Sequence, residues 1–388
     1  MPIAAADRML ARPSIVDRRP KLNIDLLRKL CETPGIPGRE ERVRELIQKE
    51  IKGLFDEVRT DAIGNLICRR APRSGGSGGT RKKTSRQTSS RAGAGKKVML
   101  ACHMDEIGFY VKYIDENGFL RVDPAGGFDT RNLFSRRVKL VTKKGDDLIG
   151  VMNPGGRPVH IASEEDKKKV PEVKEFFIDV GLSGPAVRRL VQIGDYVVMH
   201  EPLEVVGDKI VSKALDNRVA CWLGIESVRK LDAARVAHRC EIYSVFTVQE
   251  EVGLRGALTA SRSVKPDYGI GLDVTLACDT PGVDPEESVT TQGHGAVLHL
   301  KDASFISDHA LIDEMERVAK AKRIRTQRSI LPRGGQDGAA MQLANDGTCR
   351  AMGLTVGTRY IHTVTEMIDK RDLAAARDVL AAWLPTVH

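Results

Sequence analysis

Short apolar runs alternate along most of this chain with segments whose apolar residues recur three and four apart, and that alternation restricts the fold more than any other feature. Leu22 to Glu32 and Glu40 to Phe55 carry helical spacing, the second through Val43, Leu46, Ile47, Ile51 and Leu54, with the break "PGIPGRE" between them. Strand-length runs follow at "GNLICRR", "KVMLACHMD", "EIYSVFTVQ", "YGIGLDV" and "GLTVGTRYIH", separated by helix-like stretches such as Asn217 to Leu231 and Ser307 to Arg323. Strands alternating with helices predict an α/β fold, a mixed sheet covered by helices on both faces. Between Val111 and Val206 the texture changes to short alternating runs with closely spaced turn residues, as in "GFLRVDPAGG" and "IGDYVVMHEPLEVVGDK". This predicts a small β-rich domain over 112–206, inserted into an α/β domain built from 1–111 and 207–388.

Composition narrows the class. With 388 residues, 41% of them hydrophobic, the chain has the material for one large domain or two. No apolar run approaches the roughly 18 residues of a membrane span, and "MPIAAADRMLARPSIVDRRPKLN" has no apolar core of signal-peptide length, so the expectation is a cytoplasmic protein without a membrane partner. Seven cysteines without a C-x-x-C pair predict free thiols. The net charge of +9 is concentrated in one stretch: Arg69 to Lys97 holds ten basic residues and no acid, leaving the rest of the chain close to neutral. Rich in Gly, Ser and Thr and free of aromatics, 68–97 reads as a disordered, solvated loop rather than a nucleic-acid surface. Deleting it is expected to leave activity intact.

The polar residues that interrupt apolar runs carry the chemical information. In "LACHMDEIGF", His103 and Asp105 stand two apart in a strand-like context and so face the same side, where a carboxylate can orient an imidazole. By itself a His-x-Asp pair is more often a local hydrogen bond than a metal ligand. Asp216 in "SKALDNRVAC" opens a helix-like stretch, and alone it reads as an N-cap. Asp273 in "GLDVT" and His362 in "YIHTVTEM" end apolar runs, as do Glu250 and Glu251 in "VFTVQEEVGLRGA". Burying such groups is costly unless they are paired or coordinated. Polar groups at several strand ends of an α/β sheet converge on one crevice, and two His with several carboxylates suit a pair of divalent ions.

"HMDEIGF", "ALDNR", "QEEVGLRGA", "GLDV" and "TRYIHT" occur in the order and approximate spacing of the tetrahedral (TET), glutamyl and leucyl aminopeptidases, which the chain resembles from about Leu22 onward. That resemblance implies a zinc-exopeptidase-like fold and a metal-dependent aminopeptidase acting on short peptides. It makes His103 and Asp273 ligands of one metal, Glu251 and His362 ligands of the other, and Asp216 the bridge. Glu250 becomes the general base that turns a water shared by the ions into the attacking hydroxide, and Asp105 the partner of His103. The resemblance further implies zinc, or cobalt or manganese, at two positions per subunit, and self-association through the inserted domain into dimers or a twelve-subunit shell. Asp337 in "RGGQDGAAMQ" is a candidate for the substrate amine, although Gln336 stands where the family has threonine. For Arg359 the readings are an acidic-substrate contact or a structural ion pair. Cys102, His160, His200, His294 and His309 read as structural or surface residues, and "EEDKKK" as a solvated helix start.

Other functions stay open at this stage. A metal-independent, endoglucanase-like glycoside hydrolase needs only two carboxyl groups, but the histidines among these carboxylates argue against it. A deacylase or carboxypeptidase would use the same two-metal site. A non-catalytic scaffold whose basic loop binds nucleic acid leaves the ligand set unexplained.

Overall fold

The apolar runs line up side by side in one eleven-stranded mixed sheet. The computed structural model describes residues 22–74 and 95–388. At the centre of the sheet Glu241–Thr247, Lys97–His103, Tyr268–Leu276 and Arg350–Arg359 run parallel in that order. Antiparallel strands extend both flanks, Leu66–Arg70 beside Glu241–Thr247 and Glu366–Asp369 beside Arg350–Arg359. The central strands are almost wholly buried because helices cover both faces. On one face pack Ile24–Glu32, Leu215–Ala233, His309–Ala321 and Lys370–Trp383, with Trp222 and Trp383 fully enclosed. On the other lie Arg255–Val264 and Asp337–Ala344.

Local signals explain the helix ends. Asn23 accepts the Leu26 N–H at 3.1 Å and Asp308 the Leu311 N–H at 2.8 Å, each satisfying an otherwise orphaned donor. The 164–169 ridge forms the exposed helix Glu164–Lys168, closed by a capping box from Ser163 and Asp166.

The β-rich segment closes into a six-stranded barrel with its own apolar cluster, including Phe109, Val138 and Phe176. Its first strand, Gly108–Ile114, starts before residue 112, and its last, Tyr196–Met199, ends before Glu204–Val206, which pairs with the large sheet instead.

The ends of the basic stretch correct the sequence reading. Arg69 and Arg70 belong to a strand, and Lys97 begins another. Their cationic neighbourhood is neutralised, three times from far along the chain and once from nearby: Arg69 pairs with Glu241 at 2.9 Å, Arg70 with Asp232 at 2.8 Å, Lys96 with Asp267 at 2.9 Å, and Arg73 with Asp56 at 2.7 Å. These acids are invisible to a local composition argument. The remainder of that prediction, 75–94, lies outside the described residues.

Candidate metal centre

Parallel strands leave a crevice beyond their carboxyl ends, and the polar residues that interrupt the apolar runs stand there. His103 closes the strand Lys97–His103, Glu250 and Glu251 follow Glu241–Thr247, and His362 follows Arg350–Arg359. Asp273 lies near the end of Tyr268–Leu276, and Asp216 comes from a break at the start of Leu215–Ala233, where φ and ψ of −80° and 103° depart from helical values.

Asp216 presents one carboxylate oxygen to each imidazole: Oδ1 lies 3.4 Å from His103 Nε2, and Oδ2 3.3 Å from His362 Nε2. Around His103 Nε2 stand Glu250 Oε2 at 3.7 Å and Asp273 Oδ1 at 3.9 Å; beside His362 Nε2 stands Glu251 Oε1 at 3.5 Å. Ligand atoms of His103, Asp216 and Asp273 lie within 4.8 Å of one another, as do those of Asp216, Glu251 and His362.

The tautomer of His103 follows from its other nitrogen. Nδ1 faces the backbone carbonyl of Asp105 at 3.1 Å, and because a carbonyl only accepts, Nδ1 carries the hydrogen and Nε2 is left to the carboxylates. The Asp105 carboxylate, expected to orient the ring, is 3.6 Å from Nδ1; its two oxygens instead accept the N–H of Glu250 at 3.2 Å and of Glu251 at 3.1 Å. Asp105 thus aims both glutamates through their backbone.

The electrostatics describe a site short of positive charge. Burial alone lowers the proton affinity of both histidines, yet Glu250, Asp105 and Asp216 hold His103 well above its ordinary value, and Asp216 and Glu251 push His362 up to about 12. Burial raises Glu250 and Asp273 well above the usual carboxylate range, against the pull of His103, and burial together with Asp216 raises Glu251. Asp216 goes the other way, since its bonds to the two histidines outweigh burial. Crowded carboxylates that draw in protons, with imidazole nitrogens among them, form a donor set that fits divalent cations.

Other sequence expectations meet different outcomes. Asp216 does not cap the helix; Asn217 does, accepting the Ala220 N–H at 3.0 Å while its amide donates to the Leu272 carbonyl beside Asp273. Asp337 is buried behind the strand ends, where its Oδ2 accepts from Thr247 Oγ1 at 2.5 Å, and it does not line the cleft, so it is not placed to meet a substrate amine. Arg359 forms a bidentate pair with Asp279 at 2.7 and 2.8 Å. Cys102 is buried, all seven thiols are free, and His160, His294 and His309 are exposed while His200 is half-buried.

Sequence reasoning missed two buried carboxylates. Glu40 accepts the Gln249 N–H at 3.1 Å and is pushed up to about 7 by burial and by Asp105. Glu366 accepts the N–H groups of both Asp216 and His362. A carboxylate four residues after His362 was the available hint for the second; for the first there was none.

The cluster floors a cleft of about 580 Å³, whose walls include Leu254, Leu276, Leu331, Ile361 and Arg333. That size suits a small ligand or the end of a peptide.

Residues 87–379 match the M42 glutamyl aminopeptidase family. A putative aminopeptidase of Acetivibrio thermocellus is 36% identical over 357 residues, 92% of this chain and 96% of that protein. The lysyl aminopeptidase of Pyrococcus furiosus is 32% identical over 359 residues, 90% and 93% of the two chains. The solved TET1 peptidase of Pyrococcus horikoshii, described as assembling into a tetrahedron or a large octahedral shell, shares 29% identity with a TM-score of 0.78, covering 93% of this chain and 98% of that one. Similarity that runs nearly end to end, over a fold that gathers these donors at one set of strand ends, makes this chain a member of the M42 glutamyl aminopeptidase family, an aminopeptidase of the metallo-exopeptidase type.

Proposed function

We propose that the chain removes amino-terminal residues from short peptides with two divalent ions per subunit, His103 and Asp273 holding one, Glu251 and His362 the other, and Asp216 bridging them. The observation that carries this reading is the split reach of Asp216, one oxygen toward each histidine. Zinc is the first choice of metal, with cobalt or manganese able to use the same nitrogen and oxygen donors. When bound, such a pair supplies Lewis-acid polarisation of the scissile carbonyl and lowers the pKa of the attacking water.

The chain's own part is proton handling and positioning. Glu250 is the general base: burial gives its carboxylate a raised proton affinity, so it can take a proton from water and return it to the leaving amine. Asp105 fixes Glu250 and Glu251 through their backbone N–H groups, so that neighbouring side chains take different roles. Three ligand carboxylates against two dications leave a residual positive charge that favours an oxyanion; a fourth, from Glu250, would cancel it and remove the base. The inserted barrel is read as the surface for self-association, into dimers and on into a twelve-subunit shell.

The test is hydrolysis of free aminoacyl-p-nitroanilides (Leu, Glu, Asp, Lys, Ala) by metal-stripped protein, with and without Zn²⁺, Co²⁺ or Mn²⁺. Metal-dependent cleavage is the expected result and names the preferred side chain. Cleavage of N-acetylated but not free substrates would make the enzyme a deacylase, and glycoside hydrolysis that survives a chelator would replace the reading altogether.

A further inference from the structure

The backbone that carries the proposed ligands is not relaxed. His362 has a φ of 64°, Tyr360 of 60°, Ala214 of 56° and Gln249 of 55°, all in the left-handed region, which is unfavourable for a non-glycine residue. Asp216 and Asn217 interrupt helical geometry as well. Such conformations persist only where surrounding groups over-determine them, and at Gln249 and His362 those groups are buried carboxylates. Glu40 holds the Gln249 N–H, and Asp105 holds those of Glu250 and Glu251. Glu366 holds two further segments. Its Oε2 accepts the Asp216 N–H at 2.9 Å and its Oε1 the His362 N–H at 2.9 Å, two segments separated by almost 150 residues of chain.

Glu366 is itself fixed. It opens the strand Glu366–Asp369, pairs in register with Ser212, and is 2% exposed. It is absent from the groups whose ligand atoms cluster. A single rigid carboxylate therefore sets the separation of Asp216 and His362, whose facing atoms, Oδ2 and Nε2, lie 3.3 Å apart.

We infer that Glu366 is a positioning residue which, by accepting one backbone N–H from each of Asp216 and His362, sets the affinity of the ion held on the His362 and Glu251 side. The inference rests on the two-ion reading above. An amide in its place keeps one acceptor and turns a donor toward the second N–H, so one of the two hydrogen bonds is lost and replaced by a repulsive contact. Partners of this kind behind a ligand typically govern metal affinity by about 10–100-fold.

Metal-stripped wild type and Glu366→Gln, both full length and checked for folding by circular dichroism, are titrated with Zn²⁺ by calorimetry. Crystals soaked at limiting zinc then give the occupancy of each position by anomalous scattering. The expected result is two ions in the wild type, and in the variant a loss of about 10–100-fold in one affinity and a smaller one in the other, with occupancy falling most beside His362 and Glu251, where both residues held by Glu366 act, and less beside His103 and Asp273, which share only Asp216. Wild-type affinities for both ions in the variant would overturn the inference, and so would an equal loss of both, which is what general loosening of the fold produces. A wild type that binds fewer than two ions would instead defeat the two-ion reading from which the inference starts. Should Glu366→Gln fail to fold, Glu366→Asp, which shortens the reach of both oxygens, is titrated against the same outcomes.

Discussion

Two adjacent glutamates can serve one site only if something outside them sets their directions, and at the residue scale that task falls to carboxylates bonded to backbone. Glu250→Gln keeps the size of the side chain and removes its basicity, so turnover should fall about 10²–10⁴-fold while metal content stays near that of the wild type. Asp216→Asn should lose metal together with activity. Atomic emission on dialysed protein, set beside kcat, separates the two; metal lost from Glu250→Gln would reverse the roles given to Glu250 and Glu251. The glutamates in that prediction were legible in sequence because they end an apolar run, where an unpaired charge is costly, whereas Asp216 alone read as an N-cap and gained its role from the family resemblance. Glu40 was not legible, because its partner at the site is a backbone amide far away, Gln249, and no spacing rule connects the two; for Glu366 only its place four residues after His362 was a hint, and its bond to Asp216 was not readable.

Strand ends and helix starts do the positioning at the scale of elements. Gly256 is the second residue of the helix Arg255–Val264, where the chain folds back on the residue that follows Glu241–Thr247: its N–H donates to the Val248 carbonyl at 2.9 Å, and Asn65 bridges the Gly256 carbonyl and the Val248 N–H. A Cβ there would collide with the Val248 backbone and the Asn65 side chain, neither free to move away. Gly256→Ala should cost about 1–3 kcal/mol in urea denaturation and lower turnover by displacing the glutamates just upstream. A variant of wild-type stability would show that this junction yields. Farther along, Asp369 caps Lys370–Trp383 through the Arg371 N–H at 2.8 Å and pairs with Lys209 at 2.8 Å. Burial opposes its ionisation, but the Arg371 guanidinium, which pairs with the same carboxylate at 2.6 Å, together with Lys209 and the Arg371 N–H, outweighs it and holds the carboxyl at about 2, below its unfolded value of 3.8. A depressed carboxyl stabilises the fold above the unfolded pKa, and that contribution disappears as pH falls through the folded one. Asp369→Asn should therefore cost about 1–2 kcal/mol at pH 7, the gap to wild type narrowing below pH 4. Urea midpoints across that range would test it, and a gap constant with pH would refute the assignment.

For the whole molecule, the barrel and the sheet have separate apolar clusters, and the barrel also leaves large apolar side chains in the open. Val159, Ile161 and Val170 are 66%, 69% and 60% exposed, all in the connection between Leu148–Pro154 and Phe176–Asp179. If the barrel mediates the self-association proposed above, these exposed side chains are the ones to test, since contiguous exposed apolar patches mark contact surfaces. Replacing Val159 and Ile161 together by glutamate should lower the mass seen in sedimentation velocity without unfolding the chain, and an unchanged mass would remove this segment from the assembly surface. Among the described residues no helix is long and apolar enough to cross a membrane.

Sequence alone determined the α/β class, the presence of a β-rich insertion and the convergence of six polar side chains, because periodicity and the cost of interrupting an apolar run are local properties. The tertiary structure decided what depends on distant partners. It pairs the cations at the ends of the basic stretch with acids more than 150 residues away in three of its bridges, Arg69–Glu241, Arg70–Asp232 and Lys96–Asp267. It buries Asp337 instead of opening it to the cleft, moves the helix cap from Asp216 to Asn217, and turns the Asp105 carboxylate from an imidazole to two backbone amides. Hydrogen bonds and ion pairs form between groups that folding brings within about 3 Å, and that proximity is written in no window of the chain.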